Sequence, residues 1–74
     1  MTRKFSVIWE NTENGYTQEV DSDLSWADAR SVYMYEKDSH PDGYTNGVRY
    51  NRLAICNISK GDDDISYSLT KDFK

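Results

Sequence analysis

The order in which hydrophobic periodicity changes along this chain limits its fold more tightly than anything else in it. Phe5, Val7 and Trp9 alternate with Ser6 and Glu10, Ile8 being the exception on the polar side. The run from Tyr16 to Val20 resumes the period of two after Asn14-Gly15. Asparagine followed by glycine tolerates positive φ, so the two runs predict a β-hairpin. Trp26, Ala29, Val32, Tyr33 and the methylenes of Glu36 then share one stripe at helical spacing. Ser25 stands before them as an N-cap, with Asp28 near the positive end of the helix dipole. Pro41 disfavours helical geometry at His40, which ends the helix near Asp38 or Ser39.

Period two returns beyond a loop marked by Pro41-Asp42-Gly43 and Asn46-Gly47. Residues 48–58 read as one long strand. Val48, Tyr50, Ala54, Cys56 and Ile58 share a parity there while Leu53 and Ile55 take the other, so a bulge is expected near Arg52. After a turn at residues 59–64, the last run places Ile65, Tyr67, Leu69 and Phe73 inward. The order is therefore ββαββ. It predicts an α+β fold, a four-stranded antiparallel sheet with one helix packed on one face, in a single domain over residues 1–74. Ser6, Glu10, Thr17, Glu19, Ser66, Ser68 and Thr70 occupy the other parity and predict a wet second face. A chain this short buries only about 60–70% of its unfolded surface. Aromatic residues, 14% of the total, must supply much of that burial, and Tyr16, Tyr33, Tyr50 and Tyr67 are assigned to it.

Polar chemistry is sparse by comparison. His40 is the only histidine; Asp38 and Asp42 are close to it in sequence, but Ser39 and Tyr44 make a poor nucleophile set. Cys56, the only cysteine, lies in an apolar run and reads as a buried, inert thiol. One histidine and one cysteine do not make a zinc site. Asp62, Asp63 and Asp64 follow Gly61, but consecutive carboxylates diverge and no distant glutamate completes a calcium loop. Each of the four glycines is explained by a turn rather than by a phosphate loop. The expectation is a protein that is not an enzyme and carries no cofactor and no metal.

A lone cysteine cannot form an internal disulfide, which points to the cytoplasm. No run approaches the roughly 18 apolar residues of a membrane helix, and residues 1–5 lack the core of a signal peptide. The whole chain is thus expected to be the mature protein, monomer or homodimer.

Surface chemistry supplies the functional candidates. Thirteen acidic residues oppose nine basic ones, a net charge of −4 that argues against general affinity for nucleic acid. Glu10, Asp21, Asp23, Asp28 and Asp62–Asp64 could present spaced negative charge to a protein that grips nucleic acid, or be dispersed solvated charge. Arg49 and Arg52 interleave with Tyr50 and could instead contact phosphate and bases, or pair across strands with Glu10 or Glu19. Tyr44, between two turns, either serves an interface or folds back over the core.

In size, acidity, single cysteine and the strand–Asn-Gly–strand–Asp-Leu-Ser-Trp–helix arrangement from Phe5 to Tyr35, the chain resembles small phage-encoded inhibitor proteins, some anti-CRISPR proteins among them. That resemblance implies a binding protein that occludes a host protein or nucleoprotein complex, and it carries over no functional residue. The alternatives are a nucleic-acid-binding module built on Arg49 and Arg52, and an assembly protein that pairs through a strand edge.

Overall fold

The computed structural model describes residues 4–57 and 66–73. Strands β1 (Phe5–Asn11) and β2 (Tyr16–Leu24) form the first hairpin, and α1 (Trp26–Ser39) follows. A two-residue pair, β3 (Tyr44–Thr45) and β4 (Val48–Arg49), precedes β5 (Arg52–Asn57) and β6 (Ser66–Asp72). The main sheet has the order β2-β1-β5-β6 and is antiparallel throughout. The helix lies across β1, β2 and β5. The α+β architecture of one helix on a four-stranded antiparallel sheet is the one the periodicity predicts.

Local signals explain most element ends. The Ser25 hydroxyl accepts from the Asp28 amide at 3.2 Å, and the His40 amide closes the helix on the Glu36 carbonyl at 2.9 Å. In the first hairpin, Gly15 at φ 77° donates to the Asn11 carbonyl at 2.8 Å. The reciprocal pair between Thr12 and Asn51, at 2.9 and 2.8 Å, ties its tip to the start of β5. Asn46 and Gly47, at φ 54° and 77°, make the β3–β4 turn that asparagine-glycine favours.

The core comprises Phe5, Val7 and Trp9 from β1, Leu53 and Ile55 from β5, Ala29 and Tyr33 from α1, and Tyr50 and Phe73. Val20, Leu24, Val32 and Leu69 pack at its margin. Three expectations are corrected here. Residues 48–58 are not one strand with a bulge at Arg52. The Tyr50 amide donates to the Gly43 carbonyl at 2.8 Å, which folds Val48–Arg49 back on Tyr44–Thr45 before β5 begins. Tyr67 is not inward, because a bulge between Ile55 and Cys56 in the β5–β6 register sets Tyr67 opposite Cys56 on the face away from the helix, 48% exposed. Tyr16 is also outside the core, 56% exposed and stacked on Tyr50 with ring centres 6.1 Å apart.

The second face is wet only at its margins. Ser6, Ala54 and Cys56 are buried on the two inner strands, whereas Thr17, Glu19 and Thr70 are exposed on the outer ones. Trp26, though on the predicted stripe, is 41% exposed and sets its ring edge-on to Phe5 at 5.1 Å. The turn expected at residues 59–64 and the inward Ile65 lie outside the described residues.

Strand β2 carries two register shifts, on either side of Val7's pairing with Asp21. Asp23 sits at φ 57° beside one of them. A left-handed backbone is tolerable for aspartate and nearly free for glycine. Asp23→Gly should therefore leave stability within about 0.5 kcal/mol of wild type, whereas Asp23→Val should cost about 1–2 kcal/mol. Urea unfolding followed by circular dichroism reads both; equal cost from the two substitutions would contradict the backbone assignment.

Candidate functional site

Two clusters of polar side chains stand out among the described residues, one on each face of the sheet. On the face away from the helix, Glu10, Arg52 and Asp72 are register partners across β1, β5 and β6. The Arg52 Nε donates to Asp72 Oδ1 at 3.0 Å, and its Nη1 lies 3.8 Å from Glu10 Oε1. The Tyr67 hydroxyl approaches both Glu10 oxygens at 3.4 Å. The hydrogen bond with Asp72 holds the guanidinium further toward its charged form. Cross-strand pairing thus engages Arg52 with two carboxylates and leaves Arg49, exposed on β4, as the separate member of the proposed basic pair. Glu10 belongs to this cluster and not to a free acidic surface.

Cys56 is buried on the same face, and burial pushes its thiol up to about 11, with the Glu10 charge adding to the effect. Burial also raises Tyr33 and Tyr50. Folding holds these groups protonated. The stability linked to Cys56 is therefore present in full below its unfolded value of 9.0, and is lost as pH rises through about 11. Native protein at pH 8 should accordingly react with a thiol reagent far more slowly than the urea-unfolded chain. Equal rates would show that the thiol is accessible.

On the helix face, a cleft of about 420 Å³ opens between β2, the last turns of α1 and the β3–β4 hairpin. Trp9, Gln18, Val20, Tyr35, Glu36 and His40 line it, with Thr45 and Asn46 as the hairpin wall. Its floor is fixed by hydrogen bonds. The buried Trp9 indole donates to Glu36 Oε1 at 2.9 Å, and the Tyr50 hydroxyl donates to Gln18 Oε1 at 2.7 Å. His40 caps the helix with Nε2 4.0 Å from Glu36 Oε1 and its ring edge-on to Trp9. Tyr35 is the tyrosine of its lining, and Tyr16 and Tyr44 are exposed elsewhere on the surface. Tyr35 on its wall is 68% exposed, Tyr16 two residues from Gln18 is 56% exposed, and Tyr44 beside Thr45 is 50% exposed. Tyr44 is half exposed and is not one of the core residues.

The acidic candidates do not converge with Tyr44. Asp21 and Asp23 lie toward the end of β2 that pairs with the start of β1, and Asp28 is in the first turn of α1. Tyr44 follows Gly43, whose carbonyl accepts the Tyr50 amide next to the Asn51–Glu10 hydrogen bond at the other end of β1. All three aspartates are exposed. Asp62, Asp63 and Asp64 lie outside the described residues. Among the described residues no three His, Cys, Asp or Glu side chains are grouped to hold a metal ion, and no helix is long and apolar enough to cross a membrane.

Sequence reasoning missed the cleft because its walls come from four separated segments. One signal was present: Glu36 falls on the buried stripe of the helix, and a buried tryptophan N–H needs an acceptor. No family model, no curated protein and no solved structure matches this chain.

Proposed function

We propose that this chain is a non-catalytic binding protein that inhibits a host protein or nucleoprotein complex by occlusion, as small phage-encoded inhibitors do. The observation that supports this reading best is the cleft with Tyr35, 68% exposed, on its wall, on a surface that carries two further tyrosines, Tyr16 and Tyr44, at least half exposed. Tyrosine covers much area at a small cost in side-chain entropy, which makes exposed tyrosines typical of contact surfaces. The exposed carboxylates of Asp21, Asp23 and Asp28 would add steering toward a basic partner and partial nucleic-acid mimicry. The buried free thiol of Cys56 suits a reducing cytoplasm.

The test is a tagged pull-down from bacterial lysate, with and without nuclease, using wild type and a Tyr35→Ala/Tyr44→Ala double variant. The expected result is a discrete protein partner that survives nuclease and is depleted with the variant. Recovery of nucleic acid, lost with Arg49→Ala instead, would overturn the reading in favour of the nucleic-acid module. A concentration-dependent dimer without other partner would favour the assembly protein.

A further inference from the structure

The walls of the helix-face cleft differ from the rest of the surface in one respect: they carry carboxylate and amide acceptors but no lysine or arginine. Glu36 is the key member. Its side chain is only 13% exposed, and Oε1 is fixed by the Trp9 indole. Its other oxygen has no hydrogen-bond donor among the described residues, yet it is not sealed off, since no buried side-chain oxygen lacks a partner. Glu36 is itself one of the residues that line the cleft. Lys37, the nearest lysine or arginine in sequence, pairs with Asp38 at 3.6 Å and does not line the cleft, while His40 places its Nε2 4.0 Å from Oε1, the oxygen that Trp9 already holds. Glu19 contributes to the lining from β2, but it pairs with Ile8, so the strand's alternation directs its carboxylate toward the opposite face. Its charge, like that of Asp21, still makes the approach negative.

We propose that this cleft seats an arginine side chain of the bound partner, with its guanidinium on the Glu36 carboxylate and stacked against Tyr35. The inference rests on the binding reading above and names the chemistry of one of its contacts. A guanidinium has five donors in a planar fork. The acceptors here come from three directions: Glu36 on the helix, Gln18 on β2 and Asn46 on the hairpin. A compact ammonium reaches fewer of them at once. Tyr35, with two-thirds of its surface exposed at the rim, gives the planar cation a face to stack on. The carboxylate is already oriented by Trp9, so little ordering remains to be done when the cation arrives. The remaining volume of the 420 Å³ cleft accommodates water or a second side chain of the partner.

The experiment is a two-dimensional amide NMR titration of the full chain with N-acetyl-arginine amide. The blocked citrulline analogue, its neutral isostere, and blocked lysine serve as comparisons. Saturable shifts are expected at the Trp9 indole N–H and at the amides of Tyr35, Glu36 and His40. Citrulline should bind about tenfold more weakly or worse, because a charge-assisted hydrogen bond is lost. Glu36→Gln keeps an acceptor for Trp9 while removing the charge, and should weaken arginine by a similar factor with the rest of the spectrum unchanged. Absence of saturable shifts at these positions would overturn the seat. So would equal binding of citrulline, or indifference to Glu36→Gln. The broader reading is separable: a nuclease-resistant partner captured equally by Glu36→Gln would keep the binding function and remove the arginine seat. Arginine binding without any captured partner would do the reverse.

Discussion

Gly43→Ala should be the most damaging single-atom-group addition in this protein, lowering stability by about 3 kcal/mol or more and Tm by at least about 12 °C. Two independent costs coincide at this position. Gly43 has φ 78°, where an L side chain costs about 1–2 kcal/mol. A Cβ built there would also run into the backbone carbonyl oxygen of Tyr50, with the carbonyl carbon at 3.2 Å and Phe73 Cβ at 3.6 Å. The obstructing atom is main chain, so no rotamer change relieves it. The close approach exists because the Gly43 carbonyl accepts the Tyr50 amide and the Gly43 amide donates to His40, which brings two stretches of backbone together. Gly15→Ala is the matched control. Its φ is 77°, but nothing lies within 4 Å of the added Cβ, so only the conformational cost of about 1–2 kcal/mol remains. Thermal melts of the two variants decide the matter. Equal losses would mean that the 40–50 loop is not held against Tyr50 as described.

Trp9→Ala should cost about 3–5 kcal/mol. For a domain of this length the whole stability is roughly 4–11 kcal/mol, so this variant sits at the edge of folding. Trp9 is 1% exposed and packs against Phe73 at 5.3 Å, against Tyr50 at 6.1 Å and edge-on to His40. Truncation opens a cavity in the middle of the aromatic group and leaves Glu36 without its donor. Trp9→Phe separates the two effects, since it retains a ring and loses only part of the volume together with the N–H. Its expected cost is about 1–3 kcal/mol, the range for stranding one polar partner. Trp26→Ala gives the comparison: with 41% exposure and a single ring contact, it should cost about 1 kcal/mol or less. Urea unfolding followed by far-ultraviolet circular dichroism avoids the loss of the fluorophore. A Trp26→Ala loss as large as that of Trp9→Ala would displace the core from where the structure puts it.

The architecture was legible wherever local chemistry and hydrophobic period agree. Phe5, Val7 and Trp9 face the helix as their spacing requires, Ser25 caps it, and Asn46-Gly47 makes its turn. Legibility ended where a single long-range hydrogen bond overrides the period. The Tyr50 amide on the Gly43 carbonyl breaks residues 48–58 into two strands, and nothing near Tyr50 in sequence announces it. A bulge likewise reverses Tyr67 although its alternation with Ile65 and Leu69 is regular on paper. The candidate surface was only partly visible. Tyr44 was singled out and is exposed; Glu10 was singled out and is engaged with Arg52. The cleft could not be read, because Gln18, Tyr35, Glu36 and Asn46 meet only after the sheet has formed.

Strand β1, early in the chain, occupies the interior of the sheet, between its neighbour β2 and β5, where Phe5 pairs with Asn57. A ribosome delivers β1, β2 and the helix well before it delivers β5. In that interval the hairpin and helix can associate through Phe5, Val7, Trp9, Ala29 and Tyr33, but one side of β1 has no hydrogen-bonding partner. Pairing across such a large sequence separation raises contact order and slows folding relative to a purely local meander. An open strand that bears phenylalanine, valine, isoleucine and tryptophan is also a template for another nascent chain. Docking of residues 52–57 on β1 closes that edge and removes the template.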